Sequence, residues 1–214
     1  FATPPHAQTE QGHPEDLIDL ETLYTVYRYS QAPAIRQLFG IIGNPVLHSH
    51  SPHIHNTGYT ALNIPAVYVP FLVDDLSEFF SLVKKFQIQG LSVTVPFKEA
   101  VLPYCDGYEE AVAAVGACNT LVFDSETVRG YNTDVEGFLA PLKEQFQKDQ
   151  SSFLKGKRAL VLGAGGASRA VVYGLARSGA RVFVLNRTVE RAERLARDME
   201  KALLLPVGAI ETGP

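Results

Sequence analysis

The chain has 214 residues, enough for one large domain or two small ones. Its residues are 46% hydrophobic and 20% charged, which excludes wholesale disorder, and a net charge of -4 gives no reason to expect nucleic acid or an anionic membrane as partner. No apolar run approaches the roughly 20 residues needed to cross a bilayer. Cys105 and Cys118, without CxxC spacing, fit reduced, partly buried thiols in a cytoplasmic protein, with a lone disulfide as the alternative, and leave too few ligands for a metal site.

Residues 1–14 are rich in proline and start without Met, a basic region or an apolar signal core, so they read as a flexible arm with a cut or processed end. Pro14-Glu15-Asp16, followed by Leu17, Ile18, Leu20, Leu23, Tyr24 and Tyr27, predicts an amphipathic helix with acids at its positive end. After a linker at 31–36, strands are expected at 38–43, 66–72 and 90–95, with helices at 51–62 and 74–86 between them. Helix is expected again from Phe97, and then over 109–115. A strand at 118–123 is turned by Asp124-Ser125-Glu126 towards another at 128–131. Helix over 134–147 leads to a polar boundary at 145–156. Strand 158–162, helix to Ser178, strand 181–185 and helix 188–202 complete the pattern. Strand and helix in alternation predict an α/β fold with a mostly parallel sheet covered on both faces.

Strand 158–162 runs directly into Gly163, Ala164, Gly165, Gly166, Ala167 and Ser168, and a helix follows. That context suits a dinucleotide pyrophosphate, because glycines let backbone amides approach and the helix N-terminus is electropositive. Ser168 stands where the fingerprint has its third glycine. The next strand ends in Asn186-Arg187-Thr188, with Arg191 one turn on, where an NAD site has a carboxylate. Guanidinium groups favour a 2′-phosphate, hence NADP over NAD. The blander reading, two arginines solvating a helix start, sets positive charge against the helix dipole.

Three polar segments follow strands, the position where open α/β sheets bind ligands. His48-Ser49-His50-Ser51-Pro52 places two hydroxyls at a helix N-terminus, suiting a carboxylate, although Ser51 is equally explained as a cap. Ser92 to Lys98 delivers a lysine at a strand mouth, which is also an ordinary fate for a surface lysine. Gly130 to Asp134 lies near Gly116 to Thr120, and both Asn119 and Asp134 have an alternative as turn residues or caps. Spacing alone decides none of these.

Taken together and in order, the segments 43–52, 93–98, 116–120, 130–134, 163–168 and 186–188 resemble shikimate dehydrogenase. The resemblance implies an N-terminal α/β substrate domain at 37–150 and a Rossmann-type NADP domain at 151–214. It further implies that Ser49 and Ser51 bind the substrate carboxylate, and that Thr94, Lys98, Asn119 and Asp134 bind the ring, with Lys98 and Asp134 as the catalytic pair. The implied reaction is the interconversion of shikimate and 3-dehydroshikimate. Residues 1–36 loosely resemble the tail of a type I dehydroquinase, which implies a fused partner domain. A Rossmann domain has two βαβ halves and only about one follows Gly163, so the nucleotide domain is expected to be incomplete and the isolated chain impaired. Two rivals remain: a quinate/shikimate dehydrogenase, and a non-catalytic ligand-binding module.

Overall fold

The computed structural model describes residues 19–28, 30, 35–124, 126–146, 153–203 and 206–210. The proline-rich arm, the start of the first expected helix, most of the linker at 31–36, Ser125 and residues 147–152 lie outside them. The fold is α/β, and the chain divides into two units: residues 1–97 with 121–126, and residues 98–120 with 127–214.

The first unit is built on parallel pairing. Strands β1 (Gln37–Gly43), β2 (Ala66–Leu72) and β3 (Ile88–Val93) lie in the order β2-β1-β3, with β5 (Thr120–Phe123) next to β3. Gln37 faces Ala66 and the register holds without a break to Gly43 opposite Leu72. β1 reads Leu-Phe-Gly-Ile-Ile because a parallel strand covered on both faces has no polar side to show; Ile42 is fully buried. Helices α1 (Leu20–Thr25), α2 (Ser51–Ala61) and α3 (Leu76–Phe86) make up the rest. Asp19 caps α1 by accepting the Thr22 amide at 2.8 Å, which holds its carboxyl below the usual range, and Asp75 caps α3 on the Glu78 amide at 2.8 Å.

Gly40 in β1 is a point of close approach. A Cβ there would strike the carbonyl of Val69 and come within 2.5 Å of the Phe71 ring. Gly40→Ala should therefore destabilise this unit by about 1–3 kcal/mol through overpacking, read as a lowered Tm in a circular-dichroism melt.

The second unit contains β4 (Gly107–Tyr108) paired parallel to β6 (Val128–Tyr131), helices α4 (Glu110–Val115) and α5 (Asp134–Gln145), and a three-stranded parallel sheet. That sheet has the order β7 (Arg158–Leu162), β8 (Arg181–Leu185), β9 (Val207–Ile210), with helices α6 (Gly166–Arg177) and α7 (Val189–Leu203) between its strands. Val172, Val182, Val184, Ala192, Leu195 and Met199 form its dry centre. α5 joins this core through Leu139, which packs so closely on Gly174 of α6 that a Cβ there would lie 3.2 Å away.

Several expectations are corrected. No helix starts at Phe97: residues 95–101 form turns, followed by a short 3₁₀ segment at Leu102–Tyr104. The Lys98 carbonyl, which a helix would need, accepts the Cys118 amide at 2.7 Å, and the Leu102 amide turns to Glu99 instead. The strand expected at 90–95 is displaced to Ile88–Val93, and the one at 118–123 begins at Thr120. β4 and β9 were not foreseen. Among the described residues, no helix is long and apolar enough to cross a membrane, and no group of three or more His, Cys, Asp or Glu is placed to hold a metal ion.

Candidate active site

Lys98 lies within the turns that follow β3, and Asp134 opens α5. The second unit brings them together: Lys98 Nζ lies 2.6 Å from Asp134 Oδ2, with side chains 18% and 30% exposed. The other carboxylate oxygen, Oδ1, accepts from Asn119 Nδ2 at 2.7 Å. Asn119 is itself held, since its Oδ1 accepts the Thr133 amide and the Thr120 hydroxyl, each at 2.9 Å, and its own amide donates to the Tyr131 carbonyl at 3.0 Å. Lys98, Asn119 and Asp134 thus form one network of charge-assisted hydrogen bonds with an open, partly solvated edge. An amine fixed this way is suited to exchanging a proton with a bound hydroxyl.

The same lysine reaches the glycine turn. A Cβ on Gly166 would sit 3.6 Å from Lys98 Cδ, so the stem of Lys98 lies against the first residue of α6. Gly163 adopts φ +111, a conformation that glycine takes without strain. Gly165 occupies the cap position of α6 without any side-chain cap, and the first helical bond runs from the Arg169 amide to the Gly165 carbonyl at 3.2 Å. The amides of Gly166, Ala167 and Ser168 therefore head a helix whose N-terminus no side chain of its cap residue closes, a fit to a pyrophosphate.

Parallel register places the segment after β8 beside the glycine turn after β7. Leu162 pairs with Leu185, and the Gly163 amide donates to the Leu185 carbonyl at 2.7 Å, so Gly163–Ser168 and Asn186–Arg191 emerge from neighbouring strand ends. Asn186 Nδ2 donates to the Thr188 carbonyl at 2.8 Å, shaping that turn. Arg187 and Arg191 are exposed, and neither is in an ion pair among the described residues. An unneutralised pair of guanidinium groups at the start of a helix suits a phosphate.

In the first unit, the hydroxyl of Ser49 accepts the Ser51 amide at 3.2 Å and donates to the Ser51 hydroxyl at 3.1 Å. The bond to the first amide of α2 thus comes from Ser49, and the cap position is His50, so Ser51 is the first residue of the helix and not its cap. Ser49 and Thr94 line a cavity of about 310 Å³ with Ile41, Pro45, Val46, His48 and Val95. Gly43 makes room for Thr94, whose methyl would lie 2.5 Å from a Cβ there. His48 and His50 are exposed.

Two polar groups escaped the sequence reading. Tyr68, 3% exposed, donates to Ser92 Oγ at 2.7 Å next to Ser51, and burial pushes its phenol up. Alternation along β2 and β3 was the available signal, because Tyr68 and Ser92 point to one face. Asn132, buried at 4% exposure, bonds to Ala117 and Asp134; its place within Gly-Tyr-Asn-Thr-Asp was the only hint. Cys105 and Cys118 are free thiols, and a hydrogen bond between them, with burial, pushes the Cys105 thiol up.

Residues 41–121 match the family model for the shikimate dehydrogenase substrate binding domain, and residues 145–211 match the model for shikimate/quinate 5-dehydrogenase. Shikimate dehydrogenase (NADP(+)) of Carboxydothermus hydrogenoformans is 42% identical over 166 residues, covering 77% of this chain and 58% of the relative. The crystal structure of shikimate dehydrogenase from Aquifex aeolicus superposes with a TM-score of 0.73 at 41% identity, over 82% of this chain and 63% of that one. Quinate dehydrogenase from Corynebacterium glutamicum, in complex with NAD, gives 0.73 at 29% identity, over 81% and 64%. The chain spans 58% of the length of the first of these relatives. With two successive domain models of that family matched over residues 41–121 and 145–211, the chain belongs to the shikimate dehydrogenase family.

Proposed function

We propose that the protein catalyses the reversible NADP-linked interconversion of shikimate and 3-dehydroshikimate in aromatic amino-acid biosynthesis. The observation that carries this reading is the Lys98–Asp134 ion pair at 2.6 Å, with the stem of the lysine against the glycine turn. The nucleotide, held by residues 163–168 and 186–191, would supply the acceptor for the hydride of the carbinol carbon. Lys98 Nζ exchanges the hydroxyl proton at the same carbon, while Asp134 and Asn119 hold the amine in place and bind ring hydroxyls. Thr94 serves a ring hydroxyl too, and the hydroxyls of Ser49 and Ser51 receive the substrate carboxylate. Gly163, Ala164, Gly165, Gly166, Ala167 and Ser168 hold the pyrophosphate through backbone amides. Asn186, Arg187, Thr188 and Arg191 take the adenosine 2′-phosphate.

On this reading residues 37–150 are the shikimate-binding catalytic domain, 151–214 belong to the nucleotide domain, and the reaction runs in the cytoplasm, with which two free thiols agree. The stretch 1–36, with its likeness to a dehydroquinase tail, fits a fused or associated domain that supplies 3-dehydroshikimate. The quinate dehydrogenase similarity favours a second reading, oxidation of quinate with NAD. Rates on both acids with both cofactors separate the two. The expected result is a kcat/KM for shikimate with NADP well above the other three combinations; a preference for quinate with NAD would overturn the assignment. A non-catalytic binding module has no use for the paired amine and carboxylate.

A further inference from the structure

Asn132 carries no role in the reading above, yet each of its polar bonds ends on a part of the active-site frame. Its backbone amide donates to Glu109 Oε1 at 2.7 Å, its Nδ2 donates to the Ala117 carbonyl at 2.8 Å, and its Oδ1 accepts the Asp134 amide at 3.1 Å. The group is 4% exposed, so water does not substitute for these partners. A carboxamide is the side chain of this size that, while neutral, donates on one side and accepts on the other.

The segment that Asn132 grips is the one that sets both members of the catalytic pair. Cys118, next to Ala117, donates its amide to the Lys98 carbonyl at 2.7 Å and so fixes the backbone of the lysine. Asn119, one residue on, holds Asp134 Oδ1. Asp134 is approached from the other side by its own amide bond to Asn132. We infer that Asn132 is a positioning residue: it sets the register of residues 117–119 against the start of α5, and thereby the 2.6 Å approach of Lys98 Nζ to Asp134 Oδ2. This inference rests on the proposed dehydrogenase reading.

Asn132→Asp tests it through pH. An ionised carboxylate at this position faces the Ala117 carbonyl with two acceptors opposed, whereas the protonated acid restores a donor. The charged and titratable groups around it among the described residues include Glu109 before α4, Cys118 beside Ala117, Asp134 with its partner Lys98, Glu136 and Lys143 on α5, and Tyr173 and Arg177 on α6. Burial and the two nearest carboxylates, Glu109 and Asp134, favour the protonated acid, so recovery should begin within the accessible pH range. The expected result is a kcat about 10–100-fold below the unaltered protein at neutral pH, the size of effect that small misplacements produce, with the ratio recovering as pH falls. Asn132→Ala should show a similar loss without acid recovery, and a KM for shikimate that moves less than kcat. Circular dichroism at each pH tracks the folded fraction; if the Ala variant does not fold, the Asp variant carries the test.

A pH profile of Asn132→Asp parallel to that of the unaltered protein overturns the inference, as does an undiminished kcat in Asn132→Ala. Should the unaltered full-length protein fail to oxidise shikimate, the dehydrogenase reading fails separately. Hydrogen exchange at the Asp134 amide then reads the clasp without turnover: loss of protection in Asn132→Ala supports it, and unchanged protection ends it.

Discussion

Replacing Lys98 by Ala should lower kcat for shikimate oxidation by about 10²–10⁴-fold, the range that general acid–base help supplies, with affinity for shikimate close to that of the unaltered protein. The split follows from the geometry. Asp134 keeps its Asn119 contact on Oδ1 when the amine is gone, so the groups proposed to meet ring hydroxyls stay in place. What disappears is the amine that pairs with the carboxylate, on a stem that lies against the glycine turn. Asp134→Ala should also be slow, and the double variant should be no slower than the worse single one, because two residues that act as a unit are not additive. Steady-state rates on the full-length protein, with shikimate affinity from calorimetry, check both. Unchanged turnover in Lys98→Ala removes the lysine from the mechanism.

What could be read ahead of the structure follows from how local each signal is. β2, β7 and β8 fall on the expected residues because short β-branched or leucine-rich runs bounded by polar and Gly residues declare themselves within a few positions. α2 starts at the expected Ser51-Pro52 for the same reason. The helix expected at Phe97 failed because its carbonyls are claimed from 20 residues away, by Cys118 on Lys98. β4 has two residues and thus no period to detect. The glycine turn between β7 and α6 was legible from strand, glycines and helix in sequence. The pairing of Lys98 with Asp134 was not legible from spacing, since 36 residues separate them, and it entered only through resemblance. Asn132 and Tyr68 stayed hidden because their partners lie 15 and 24 residues away and neither residue type announces chemistry by itself.

Removing both Arg187 and Arg191 should raise KM for NADP by roughly 10²-fold or more and leave KM for NAD nearly untouched. A hydrogen bond to a charged group contributes about 1.5–3 kcal/mol, and about 1.4 kcal/mol is tenfold in affinity, so each guanidinium accounts for one to two decades if both meet the 2′-phosphate. Their placement favours that outcome. They stand at the N-terminal end of α7, where their charge is opposed to the helix dipole, and neither is neutralised by a carboxylate among the described residues. The turn they flank is set by Asn186 on the Thr188 carbonyl and lies next to Gly163 through the Leu185 carbonyl, so a molecule whose pyrophosphate occupies the glycine turn carries its adenosine ribose towards them. Titration with 2′,5′-ADP and with 5′-ADP measures the preference without requiring turnover. In the unaltered protein the 2′-phosphate should add affinity that falls as salt rises; in the double variant that increment should vanish. Equal affinity for the two ligands in the unaltered protein would mean that the arginines only solvate a helix start, and that the case for NADP must rest on the relatives alone.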